Sequence, residues 1–256
     1  MILYENDILL QNLSGRVAVV TGASSPIGTG ILRALVENGV AVAISGRNKS
    51  VVDELAEAIR SEGGQAMGVV ADVTQYADLN ALREKTESEL GPVDIVVAFA
   101  GGQGMPVSVT DLSLETWNQS LAVNLTGTFL TLKAFLPGMI NRRRGSIITM
   151  ASTAGRATSP ASPAYGAAKA GLLMLSRQAA LQVAEYGVRV NALAPGAVLE
   201  GKAISQEMCD QIARSHPLKR TGTPQDIAEA TLFLASDASS WITGSTIDVN
   251  GGRIMV

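Results

Sequence analysis

The chain has 256 residues, of which 46% are hydrophobic, 17% charged and 4% aromatic, with 20 basic against 23 acidic side chains. That apolar content excludes intrinsic disorder, the length is ample for a buried core, and the charge balance offers no cationic excess to neutralise a nucleic-acid backbone. One cysteine, Cys209, and one histidine, His216, argue against an internal disulfide, a metal site built on histidine or cysteine clusters, and a Ser-His-Asp triad.

In chain order, residues 1–13 carry Glu5 and Asp7 and no basic side chain, so they lack the positive start of a secretory signal. No run of about 18 apolar residues marks a membrane span, and the expectation is a cytoplasmic protein without membrane contact. Short β-branched runs then appear at 16–21, 40–44, 66–70, 93–98, 146–150, 188–193 and 246–249. Stretches with helical spacing lie between them, at 31–38, 51–62 and 79–90 and in longer helices around 114–136 and 163–185. Strands alternating with helices predict right-handed βαβ units. The expected fold is α/β: a single-domain, Rossmann-type, doubly wound parallel sheet of seven strands with helices on both faces. Ligands of such sheets bind beyond the carboxyl ends of the strands, so the residues just after each strand are the place to look for chemistry.

The first strand runs into Thr21-Gly22-Ala23-Ser24-Ser25-Pro26-Ile27-Gly28-Thr29-Gly30. Glycines there allow a tight turn and close approach to a pyrophosphate, which the following helix N-terminus favours. The second strand ends in Ser45-Gly46-Arg47-Asn48. No carboxylate is present to bind a ribose 2′-hydroxyl, and Arg47 offers a planar donor fork to a 2′-phosphate. NADP(H) is therefore favoured as cofactor, with NAD(H) the alternative. Further on, Tyr165 and Lys169 stand four residues apart, so a helix presents phenol and ammonium on one face. Ser162 is the expected N-cap and Pro163 the first helical residue. A nearby cation favours phenolate, which would bring the tyrosine pKa toward the working range.

The spacing of this glycine turn, with Ser152 placed 13 residues before Tyr165 and Asn124 in Val123-Asn124-Leu125, resembles the short-chain dehydrogenase/reductase family from about residue 14 to 252. The nearest resemblance is to its 3-oxoacyl-acyl-carrier-protein reductase type. The resemblance implies a catalytic set of Asn124, Ser152, Tyr165 and Lys169. It assigns cofactor contacts to Gly22, Ser24, Ser25, Ile27, Gly28, Arg47, Asp72, Val73, Ala100, Gly101, Tyr165, Lys169, Pro195, Gly196 and Val198. It further implies that Asn124 holds a water in a proton relay reaching Lys169. No metal is expected.

Three departures from the family pattern stand out. Pro26 replaces a glycine and removes an N–H from the phosphate turn; Ala98-Phe99 replaces a pair of asparagines that brace neighbouring strands; Glu200 stands where a threonine binds the nicotinamide amide. Phe99 is placed either near the adenosine or in the core. Substrate choice is expected to lie in the segment 197–217, a lid opposite a rim at 101–106, where Ile204, Met208 and Ile212, spaced by four, either cover an apolar ligand or pack against the body. The expected partner is a small carbonyl or alcohol substrate. The helices around 114–136 and 163–185 are apolar over more than one face, so one face is expected to meet the sheet and another a partner subunit; the family resemblance implies a homotetramer. The leading expectation is an NADP(H)-dependent reductase acting on a ketone, such as a 3-oxoacyl thioester. An NAD(H)-dependent alcohol or sugar dehydrogenase and a non-catalytic nucleotide-binding protein are the competing readings.

Overall fold

A computed structural model describes residues 12–200 and 204–255. The N-terminal stretch read above as lacking a signal lies almost wholly outside the described residues. Seven strands form one parallel sheet: β1 (Val17–Thr21), β2 (Ala41–Gly46), β3 (Ala66–Val70), β4 (Val93–Ala98), β5 (Gly145–Met150), β6 (Val188–Pro195) and β7 (Thr246–Val249). Their order is β3-β2-β1-β4-β5-β6-β7, so the direction of winding reverses between β1 and β4. A crevice opens there at the carboxyl ends, as the doubly wound topology requires.

Unbroken apolar strands follow from burial on both faces. Ala18 and Val20 of β1 belong to one core layer, with Ile31, Leu32 and Leu35 of α1 (Pro26–Glu37), Val52 and Ala56 of α2 (Lys49–Ser61), and Ile227 and Leu232 of α8 (Pro224–Ala235). Val17 and Val19 face the opposite layer. There they meet Leu79 and Leu82 of α3 (Tyr76–Glu89), Leu132 and Phe135 of α5 (Gly127–Arg142), and Ala179 and Val183 of α6 (Pro163–Val183).

The helix expected around 114–136 is more complex than its pattern. It begins as α4 (Leu114–Leu121), passes through a π-turn at Ala122–Thr126 and continues as α5. Such a turn holds one extra residue and re-aims the side chains inside it. Asn124 lies at its centre. A short helix, α7 (Gln206–Arg214), crosses the segment after β6. Among the described residues no helix is long and apolar enough to cross a membrane.

Candidate active site

The floor of the site is the turn after β1. Gly22 has φ +70°, and a Cβ there would stand 2.7 Å from the Cα of Ala100, so the chain passes β4 only without a side chain. Ser25 caps α1, its Oγ accepting from the Gly28 amide at 3.3 Å. Pro26 occupies the first helical position, where the missing N–H has no helical partner to lose. The proline therefore suits the helix start while leaving the turn one donor short.

The wall expected to suffer from the loss of two asparagines is braced in another way. Thr21 Oγ1 accepts from the amides of both Phe99 and Ala100 at 3.2 Å. This role was missed in the sequence, because it links residues 78 and 79 positions apart. Phe99 packs against the core and edges the cavity that holds Tyr165 and Lys169, away from Arg47.

Two cavities follow the carboxyl ends of the strands. One of about 500 Å³ is bordered by Arg47, Asp72, Val73 and Ala100. Asp72 accepts from the amide of Thr74 at 2.9 Å and its hydroxyl at 2.8 Å. Those bonds, the amide first, hold its carboxyl below the ordinary value, with a smaller contribution from the charge of Arg47. The second cavity, of about 380 Å³, is bordered by Ser25, Ile27, Pro195, Val198 and Glu200 as well as Ser152, Tyr165 and Lys169. Gly22, Ser24 and Gly101 border both, which makes one elongated trough. Its serine hydroxyls and the amides of the first α1 turn suit a dinucleotide. Gly28 and Asn124 do not line it: Gly28 is buried within α1, against Ala23.

Ser152 follows β5 and opens a 3₁₀ turn at Thr153–Gly155, its Oγ accepting from Ala154 N at 3.2 Å. Gly155 lets that turn rest on α6, since a Cβ would lie 2.6 Å from the carbonyl carbon of Lys169. Arg156 then pairs with Asp248 and ties the turn to β7. The capping expected of Ser162 does not occur. The residue is in the N-cap position, but its buried hydroxyl has no partner among the described residues, and Pro163 with its fixed φ begins the helix.

Lys169 is buried; its Nζ donates to the Met150 carbonyl at 2.7 Å and lies 5.6 Å from the centre of the Tyr165 ring. Burial lowers the ammonium to about 8. Tyr165 departs from expectation: burial raises its phenol above the ordinary value and outweighs the opposing pull of the Ser152 hydroxyl. Desolvation thus dominates over the nearby cation. Asn124, 2% exposed, clamps the rim: its Oδ1 accepts from Gly102 N at 3.0 Å, and its Nδ2 donates to the carbonyls of Gly102 and Ser120 at 3.0 Å. Among the described residues it forms no hydrogen bond to Lys169.

A third cavity, of about 350 Å³, adjoins the trough, and Ser152, Tyr165, Gln103 and Gly196 border both. α7 stands beside it, with no buried residue; Ile212 lines the cavity while Ile204 and Met208 are exposed. The stripe spaced by four is therefore not core packing. Arg253 also lines this cavity and was missed. A signal existed, because it lies just beyond β7, where the carboxyl-edge rule directs attention.

A family model described as enoyl-(acyl carrier protein) reductase matches residues 22–253. The chain belongs to the short-chain dehydrogenase/reductase family. 2-(S)-hydroxypropyl-CoM dehydrogenase 3 of Xanthobacter autotrophicus is 38% identical, over 95% of this chain and 98% of its own length. The 3-oxoacyl-(acyl-carrier-protein) reductase FabG of Escherichia coli is 35% identical, over 96% and 100%. Among solved structures, a gluconate 5-dehydrogenase from Burkholderia cenocepacia, in complex with NADP and tartrate, superposes with a TM-score of 0.89 at 32% identity, covering 95% of this chain and 98% of that one. This short-chain dehydrogenase/reductase is accordingly an NAD(P)-dependent oxidoreductase acting on hydroxyl or keto groups.

Proposed function

We propose that the protein is an NADP(H)-dependent reductase of ketones, 3-oxoacyl thioesters among them, that runs in reverse on secondary alcohols. It works as a single dinucleotide-binding domain within a cytoplasmic homotetramer. The observation that carries this reading is the sharing of Ser152 and Tyr165 between the trough and the cavity beside it. Both residues border both compartments, where an acid catalyst for hydride chemistry is needed.

In this reading the turn residues Gly22, Ser24, Ser25 and Ile27 hold the pyrophosphate, with Gly28 supporting the turn from within α1. Arg47 binds the 2′-phosphate, Asp72 and Val73 border the adenine, and Ala100 and Gly101 flank the riboses. Pro195, Gly196, Val198 and Glu200 border the nicotinamide, which when bound supplies the hydride. Tyr165 donates a proton to the substrate oxygen, and its raised pKa keeps the phenol protonated for that step. Ser152 polarises the same oxygen. Lys169 stabilises the phenolate left behind and binds the ribose. Asn124 acts as a positioning residue, since it fixes the backbone of Gly102 beside the trough.

Support for NADP(H) is the absence of a carboxylate at the end of β2 together with an exposed Arg47 at the cavity edge. Exposed apolar side chains on α5 and α6 support self-association, with Phe129 46%, Met174 52% and Leu181 78% exposed.

Titration with NADPH and NADH, followed by nicotinamide fluorescence, tests the cofactor. The expected result is tighter binding of NADPH, weakened about tenfold by Arg47→Gln with NADH unaffected. Preference for NADH would direct the search to alcohols and sugars. Binding of neither would refute the enzyme reading.

A further inference from the structure

The cavity of about 350 Å³ beside Tyr165 has a distinctive charge. No aspartate or glutamate is among its lining residues, whereas Arg253 is, along with the imidazole of His216. Two other arginines near this cavity are paired, Arg156 with Asp248 and Arg220 with Asp226. Arg253 has no ion-pair or side-chain hydrogen-bond partner among the described residues.

The backbone that carries it is nevertheless fixed. The Arg253 amide donates to the Asn250 carbonyl at 3.0 Å. Asn250, 6% exposed, bonds the next residue through its side chain, Nδ2 donating to the Ile254 carbonyl at 3.1 Å. The turn after β7 thus holds an unspent guanidinium at the cavity while costing it no bond. His216 is anchored as well, Nδ1 donating to the Ile212 carbonyl at 2.7 Å, which leaves Nε2 for another partner. The remaining wall is mostly hydroxyls and apolar groups, with Thr158, Ser159 and Leu199 among them. A cavity of this size suits a small molecule with one or two fixed polar groups.

We propose that the substrate of this enzyme carries an oxyanion, a carboxylate or sulfonate, a few bonds from the reacting carbonyl, and that Arg253 binds it. The inference rests on the reductase reading, because Tyr165 and Ser152 define the reacting end of the cavity. A planar guanidinium engages a carboxylate through two parallel bonds, which also sets the register of the ketone against Tyr165. Arg253 is then a specificity-determining residue.

The test compares 4-oxopentanoate with 4-oxopentanamide, which have the same shape and differ in charge. Calorimetric titration on the protein alone and with saturating NADP⁺, which cannot reduce the ketone, reads binding without turnover. The expected result is roughly tenfold tighter binding of the carboxylate, with Arg253→Gln erasing the difference by loss of carboxylate affinity alone. Propanesulfonate should compete if the site takes oxyanions generally, and Arg253→Lys should retain part of the preference. Equal binding of the two ketones, binding of neither, or a preference that survives Arg253→Gln would overturn the assignment. Separate assays with NADPH read turnover. Carboxylate binding that needs Arg253, without oxidation of NADPH on any ketone, would support the anion site while refuting the reductase reading.

Discussion

The two edges of the sheet carry cavities of similar size and opposite character. At the amino edge, a cavity of about 480 Å³ is lined by Arg16, Arg144 and Arg189 with Asp94 and Asp237. Each of those cations is committed. Arg16 donates to Asp237 at 2.7 Å and to the Ala235 carbonyl at 3.2 Å. Arg189 donates to Ser239 Oγ at 2.7 Å and to the Leu234 carbonyl at 2.8 Å, and Arg144 lies 3.5 Å from Asp94. At the carboxyl edge, Arg47 and Arg253 have no such partners among the described residues, and Ser152 and Tyr165 border two cavities. Volume alone does not distinguish a site. Uncommitted hydrogen-bonding capacity does, and the βα topology concentrates it here, because helix N-termini with orphan amides point to this edge.

The sharpest break in the comparison comes from one mutation on each side. Tyr165→Phe removes only the phenolic hydroxyl. Turnover should fall by about 10²–10⁴-fold, while NADPH affinity stays within about threefold and melting is unchanged. Near-normal steady-state rates in that variant would dismiss the carboxyl edge as the site of chemistry. Asp237→Ala on the amino edge should do the reverse. It strands the guanidinium of Arg16, only 7% exposed, and should cost about 2 kcal/mol, a fall of about 4–8 °C in Tm. KM and kcat should not move. A loss of activity without a loss of stability would show that the amino edge takes part in function.

The strands and the grouping of Ser152, Tyr165 and Lys169 at the carboxyl edge were legible in the sequence because both depend on local patterns. Apolar runs mark strands buried on two faces, and Ser152, Tyr165 and Lys169 keep their relation through one strand end and one helix. What escaped was long-range. The π-turn around Asn124 goes with a clamp on Gly102, 22 residues away, and nothing in the helical periodicity records that contact. Thr21 took over the bracing of β4 after Ala98-Phe99 had been read as a loss. Ser162 has the composition of an N-cap, yet no capping bond forms, so residue type at a helix start does not determine the hydrogen bond. Arg253 belongs to no motif quoted from the sequence, and its meaning depends on a cavity assembled from distant elements.

The smallest effect concerns protonation, and it separates the two edges again. Lys169 has a folded-state pKa of about 8, against an ordinary value of 10.5, because burial disfavours its charge. Between those values the unfolded chain holds this proton more tightly than the folded one, so stability from this group rises as pH climbs through that window. Measured against Lys169→Met, which cannot titrate, the ligand-free wild type should gain about 1 kcal/mol in unfolding free energy from pH 7 to pH 9. Asp237 behaves differently. Burial would raise its carboxyl, but bonds from Arg16 and Asn12 outweigh that and hold it below the ordinary value, so it is ionised throughout this range. The stability difference between wild type and Asp237→Ala should therefore be flat over the same pH interval. Denaturant unfolding at pH 7, 8 and 9 reads both slopes, and a flat Lys169 series would mean that its ammonium is solvated in the folded protein and that the trough is wetter than its packing implies.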